Sequence, residues 1–220
     1  MTLVDGIGLW CDIASGNYAG RAAMFLDRDG VIVEDANYLG SAQDVRMLPG
    51  AGKAIGRCNL SGIPVVLVTN QSGIGRGYYD WGGFQAVQAA LFAALAKEGA
   101  HLDAVLACAY HAEARRPFRI ADHPWQKPNP GMILAAAERM QLDLSHSWII
   151  GDRVSDLATG RAASLRGGVL ITTGQSLKEQ TTALALANKS FIVDLSPSLA
   201  DAVMIPIGLG LADEGGKRET

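Results

Sequence analysis

The stretch Ala22-Ala23-Met24-Phe25-Leu26-Asp27-Arg28-Asp29-Gly30 runs from apolar residues straight into two carboxylates and a glycine. A continuous apolar run of this length, closed by turn-forming Asp and Gly, reads as a strand buried on both faces. In extended geometry residues two apart point to the same side, so Asp27 and Asp29 leave the strand together. Two carboxylates so placed repel each other unless a cation or a shared proton lies between them. Taken alone, the pair could equally mark an ordinary strand-end turn.

Outward from this stretch, short β-rich runs alternate with longer amphipathic segments, the pattern of βα units around a parallel sheet. Candidate strands are Ala22–Leu26, Pro64–Thr69, Ala104–Ala109, Ser147–Gly151, Gly168–Ile171 and Phe191–Val193. Phe84, Val87, Leu91 and Leu95 recur at helical spacing and make Asp80–Glu98 the clearest helix. Met132, Ile133, Ala136, Ala137 and Met140 mark another, with Asn129 as expected N-cap and Pro130 at its first position. Pro49 opens a helix that Ser61-Gly62 ends. Two long stretches, Val31–Met47 and His111–Gln126, follow the carboxyl ends of expected strands, where open α/β sheets place their ligands. The expected organisation is an N-terminal extension at 1–20, a single α/β domain at 21–205, and a frayed glycine-rich, charged tail at 206–220.

With 220 residues, 49% of them apolar, the chain can bury one good-sized core. A net charge of -3 with scattered Lys and Arg points away from nucleic acid and from anionic membrane surfaces. Cys11, Cys58 and Cys108 are far apart, which fits reduced thiols better than a disulfide framework. No secretory signature opens the chain, and its apolar runs fall far short of the ~18 residues of a membrane helix. A soluble cytoplasmic monomer whose partner is a small phosphorylated metabolite is the expectation.

Further chemistry sits at the ends of later strands. Val68-Thr69-Asn70-Gln71-Ser72-Gly73 offers hydroxyls, amides and backbone N–H groups suited to phosphate oxygens. Gly75-Arg76-Gly77 matches neither a dinucleotide fingerprint nor a P-loop. Lys127-Pro128 biases a cation toward extended geometry near the sheet edge. Gly151-Asp152-Arg153-Val154-Ser155-Asp156 places one carboxylate at a strand end and another in the first turn of the next helix. Each has a bland reading: a turn, a solvated lysine, a helix cap.

In order and together, Asp27-Arg28-Asp29-Gly30, Thr69-Asn70, Lys127 and Gly151-Asp152 with Asp156 resemble the motifs of the haloacid dehalogenase superfamily of phosphohydrolases. Leu48-Pro49-Gly50, Thr69 to Tyr78 and Lys127 to Met132 look like its branch of heptose-bisphosphate and histidinol-phosphate phosphatases, over about Ala22 to Gly174. The resemblance implies a three-layer, Rossmann-like parallel sheet with a minimal cap or none. It implies hydrolysis of a phosphate monoester through an aspartyl-phosphate. The substrate would be a small sugar phosphate or bisphosphate such as D-glycero-D-manno-heptose 1,7-bisphosphate, or else histidinol phosphate. Asp27 would be nucleophile and Asp29 acid/base, with Thr69 and Lys127 on the phosphoryl oxygens. Mg²⁺ would be bound by Asp27, Asp152 and the Asp29 backbone carbonyl. Asp156 would orient Lys127, and Asn70, Gln71, Gln126 and Arg153 would contact substrate.

The chain departs from the branch in one loop. Cys108 matches the first of its zinc-binding cysteines, but Tyr110 stands at the histidine position, His123 and Trp125 replace the later cysteines, and Gln126 replaces an arginine. Cys108, His111 and His123 supply three ligands of types zinc accepts, one short of a closed site, so magnesium rather than zinc is the metal expected. Arg115, Arg116 and Arg119 could supply the anion-binding charge that Gln126 lacks. A phosphorylatable signalling or binding module also uses a strand-end Asp, Thr or Ser, and Lys. Such a module has no need of Asp29.

Overall fold

Alternating residues of the buried strands point to opposite faces of one sheet, and each face is covered by helices. In the computed structural model, which describes residues 3–172 and 178–211, the strands are β1 (Leu9–Ile13), β2 (Met24–Leu26), β3 (Val65–Asn70), β4 (Ala104–Cys108), β5 (Trp148–Gly151), β6 (Gly167–Ile171) and β7 (Ile192–Ser196). Their order is β1-β4-β3-β2-β5-β6-β7, parallel throughout except for β1 against β4. The helices are α1 (Ala51–Leu60), α2 (Ser72–Arg76), α3 (Trp81–Lys97), α4 (Gly131–Met140), α5 (Val154–Ala162), α6 (Gln180–Leu184), α7 (Leu199–Ala202) and α8 (Met204–Gly208).

Met24 and Leu26 face a core with Ile55 of α1, Phe84, Val87 and Leu91 of α3, and Leu199 of α7. Ala23 and Phe25 face the opposite core, with Met132, Ile133 and Ala136 of α4. The expected three-layer α/β architecture follows from this two-sided burial. β2 lies between β3 and β5, with Leu26 level with Leu67 on one side and Ile150 on the other. The chain therefore reverses its winding direction at β2, which creates the crevice where open α/β sheets bind ligands.

All six expected strands are present, with no end shifted by more than three residues. β1 is an addition. The extension expected at 1–20 contributes an antiparallel edge strand, its residues Leu9 and Trp10 buried and Asp12 exposed. The helix from Pro49 begins at Ala51, with Gly50 at its N-cap in the left-handed region at φ 79°. Asn129 is not the N-cap of α4. Pro130 holds that position, and the Asn129 side chain donates instead to Asp122 Oδ1 at 2.8 Å and to the His123 carbonyl at 3.1 Å.

The stretch 31–47 is less irregular than expected: Val31, Ile32 and Val33 are fully buried, and bridges join Asp29 to Val33 and Val33 to Met47. Of the tail expected at 206–220, residues up to 208 belong to α8 and Leu211 is buried, while 212–220 lie outside the described residues, as does Gly174. Among the described residues no helix is long and apolar enough to cross a membrane.

Candidate active site

The carboxyl ends of β2, β3 and β5 bring the expected residues to one place. Asp27 leaves β2 with its backbone N–H bonded to the Ile150 carbonyl at 3.1 Å, so the sheet's pairing continues as far as Asp27. Lys127 comes from the loop before α4 and is buried. Its ammonium donates all three protons: to Asp27 Oδ1 at 2.8 Å, to Asp156 Oδ1 at 2.6 Å and to the Val68 carbonyl at 3.0 Å. Burial alone would lower the lysine's pKa, but the carboxylates of Asp156 and Asp27 override it and hold the charge in place. The Asn70 side chain fixes the lysine from behind: its Nδ2 donates to the Lys127 carbonyl at 3.1 Å and its Oδ1 accepts from the Lys127 N–H at 3.0 Å. Asn70 thus contacts the lysine backbone at the wall of the cleft.

Asp27, Asp152 and Asp156 offer carboxylate oxygens within 4.8 Å of one another. Asp156 is committed to Lys127, and its Oδ2 accepts from the Arg153 N–H at 3.0 Å in the first turn of α5. Asp152 Oδ1, by contrast, is buried without a hydrogen-bond partner. Burial and the neighbouring charges of Asp27 and Asp156 push the Asp152 carboxyl up to about 7. Gly30 keeps φ at 79° and leaves room for this carboxylate, since a Cβ there would sit 2.3 Å from Asp152 Oδ2. An orphaned buried carboxylate oxygen beside a second carboxylate, all donors being hard oxygens, fits a cation of the magnesium type.

Asp29 stands outside this cluster. Its carboxylate is gripped by Arg28, Nε to Oδ1 at 3.1 Å and Nη2 to Oδ2 at 2.9 Å. Burial raises the Asp29 carboxyl above its ordinary value, and Arg28 opposes the shift. Gln71 links Asp29 to Thr69, its Nε2 donating to Thr69 Oγ1 at 2.8 Å. Around these residues lies an open cleft of about 530 Å³ whose walls also include Asn70, Gln126 and Arg153. Arg153 reaches across it to Asp35 at 3.3 Å.

A 44% identical relative, the D-glycero-β-D-manno-heptose-1,7-bisphosphate 7-phosphatase of Mesorhizobium japonicum, aligns over 74% of this chain and 76% of its own length. This chain belongs to the haloacid dehalogenase-like hydrolases. The HAD-hydrolase-like family model matches residues 124–202. A Mesorhizobium loti structure described as a HAD-like phosphatase is 38% identical, with a TM-score of 0.80 over 92% of this chain and 95% of that one. The D,D-heptose 1,7-bisphosphate phosphatase of B. bronchiseptica, complexed with magnesium and phosphate, is 29% identical, with a TM-score of 0.72 over 86% of this chain and 99% of that one.

In this haloacid dehalogenase-like hydrolase the side chains of the departing loop make several contacts of their own. Cys108 is buried on β4, and burial pushes its thiol up to about 12. His111 Nδ1 accepts from the Glu113 N–H at 3.1 Å, and His123 Nδ1 accepts from the Trp125 N–H at 3.1 Å. Among the described residues the ligand atoms of three such side chains converge only at Asp27, Asp152 and Asp156. Tyr110 ties the loop together: its ring stacks on His123 with centroids 4.3 Å apart, and its hydroxyl donates to Asp5 Oδ2 at 2.5 Å. Arg115, Arg116 and Arg119 do not line the cleft, and Arg119 Nε donates to the Ala114 carbonyl at 2.9 Å.

The haloacid dehalogenase-like cleft also has walls that motif reading passed over: Asp35, Asn37, Tyr38 and Tyr79. The long stretch after the first strand was the only signal for Asp35, Asn37 and Tyr38, and Tyr79, between α2 and α3, had none.

Proposed function

We propose that the chain is a phosphoric monoester hydrolase that forms an aspartyl-phosphate on Asp27. The observation that carries this reading is Asp27 itself, held at the switch point of the sheet against the Lys127 ammonium and near the Asp152 oxygen that has no hydrogen bond. A phosphate dianion meets an anionic nucleophile only where cations first neutralise it. Lys127 supplies one fixed positive charge. A magnesium ion held by Asp27 and Asp152, with the Asp29 carbonyl, would supply the remaining neutralisation and polarise the phosphoryl oxygens.

An Asp27 carboxylate oxygen attacks phosphorus while the bond to the leaving oxygen breaks. The electron pair departs with that oxygen, which takes the proton from the Asp29 carboxyl. Asp29, now ionised, accepts a proton from the water that cleaves the acyl-phosphate, releasing phosphate and restoring Asp27. Thr69 holds a phosphoryl oxygen through its hydroxyl, and Asp156 keeps Lys127 aimed at the site. Gln71, Gln126 and Arg153 contact the substrate.

The substrate is a small phosphorylated sugar of the heptose 1,7-bisphosphate kind. Support comes from the substrate named for the relatives and from a cleft open enough to admit a sugar with a remote phosphate. Purified protein with Mg²⁺, screened against sugar phosphates, sugar bisphosphates and histidinol phosphate, should release phosphate over many turnovers, fastest from the heptose bisphosphate. Asp27→Asn should abolish turnover. Near-normal rates in that variant would rule out the covalent route, and failure on every ester would favour a signalling or binding role.

A further inference from the structure

The residue between the two carboxylates has no role in the chemistry above, yet it is one of the most buried charges in the protein. Arg28 is 1% exposed, an unfavourable place for a permanent cation unless its position matters. Its guanidinium lies over the Phe84 ring at 5.7 Å, and Nη1 has no hydrogen-bond partner. Neighbouring side chains diverge in a strand, so the fork onto Asp29 forms only where the chain bends out of β2.

The fork occupies both Asp29 oxygens, which fixes the plane of the carboxylate as one contact could not. Arg28 Nη2 also donates to Gln71 Oε1 at 3.2 Å. Tyr79 donates its hydroxyl to that same oxygen at 2.5 Å, so the amide is held with its Nε2 toward Thr69 at 2.8 Å and Asp29 at 3.5 Å. Tyr79, Gln71 and Arg28 therefore form a continuous frame from α3's approach segment to Asp29.

We propose that Arg28 is a positioning residue that aims the Asp29 carboxyl at the leaving oxygen, with Gln71 and Tyr79 as its frame. The inference rests on Asp29 being the acid/base of the proposed hydrolase. A misaimed acid slows departure of a strongly basic alkoxide. It has little effect on p-nitrophenolate, which leaves without a proton.

The test compares kcat/KM, which reports the step in which the leaving oxygen departs, for an alkyl sugar phosphate and for p-nitrophenyl phosphate. Arg28→Lys keeps the charge and loses the fork. It should lose roughly 10- to 100-fold more on the alkyl ester than on the aryl ester, the scale of a misplaced catalytic group. Asp29→Asn should show the same split at larger amplitude, and Tyr79→Phe the same split at smaller amplitude. Equal losses on both esters, or none, in an Arg28→Lys protein that folds would overturn the proposal. If that variant does not fold, Tyr79→Phe decides: an unequal loss supports the frame and an equal one rejects it. Wild type that hydrolyses neither ester would overturn the hydrolase reading and this proposal with it.

Discussion

Asp152 lies beside two other carboxylates with its Oδ1 lacking a hydrogen bond, and burial together with Asp27 and Asp156 raises its carboxyl to about 7. A carboxyl whose folded pKa lies above its unfolded value binds its proton more tightly when folded. That stability is fully present below about pH 4 and is lost as pH rises through about 7. The shift corresponds to an upper bound of roughly 4 kcal/mol. Asp152→Asn removes the titration. In the presence of a chelator at pH 8 the variant should be more stable than wild type by ~1–4 kcal/mol, with the advantage shrinking toward pH 5. Urea unfolding at both pH values checks this, and an unchanging difference would contradict it. At this scale Asp27, Asp29, Thr69 and Asp152 were legible because each lies beside the end of an apolar run, a pattern local enough to read in one dimension, and Lys127 because a proline follows it ahead of an expected helix. Arg28 stood in the same motif without a legible role, since its fork to Asp29 depends on how the chain bends.

β1 is the strand that the amphipathic pattern did not disclose. It is short and lies at a sheet edge, with Asp12 on an exposed position, so it lacks the continuous apolar run that marked the buried strands. Yet Trp10 is buried against α3, 5.7 Å from the Trp81 ring and 5.2 Å from Phe84, and the Trp81 indole N–H donates to the Ile7 carbonyl at 2.7 Å. Trp10→Ala should cost about 3–5 kcal/mol, as expected for a large aromatic removed from a core. Thermal unfolding should show a fall in Tm of roughly 10 °C for a chain of this size. A shift within experimental error would mean that β1 is an ornament on the fold rather than part of it.

For the molecule as a whole, a cation held at Asp27 and Asp152 would couple binding to folding. Excess Mg²⁺ should raise Tm in wild type, by about 2.7 kcal/mol of stabilisation at a hundred times the Kd, and much less in Asp152→Asn. Zinc should be found well below one equivalent after dialysis, measured by elemental analysis. The Cys108 thiol, pushed up to about 12 by burial, is a poor source of the thiolate that zinc requires. One retained equivalent would reverse that expectation. The sequence by itself determined the α/β class, the order of strands β2 to β7 along the chain and the residue types that meet in the cleft, because apolar runs and the carboxylates that close them are local patterns. Only the tertiary structure decided how those residues are aimed. Arg28 meets Gln71 across 43 positions, Asn70 holds Lys127 across 57, and Tyr110 reaches Asp5 across 105. Contacts between segments so far apart are set by sheet register and packing, which no periodicity along the chain records.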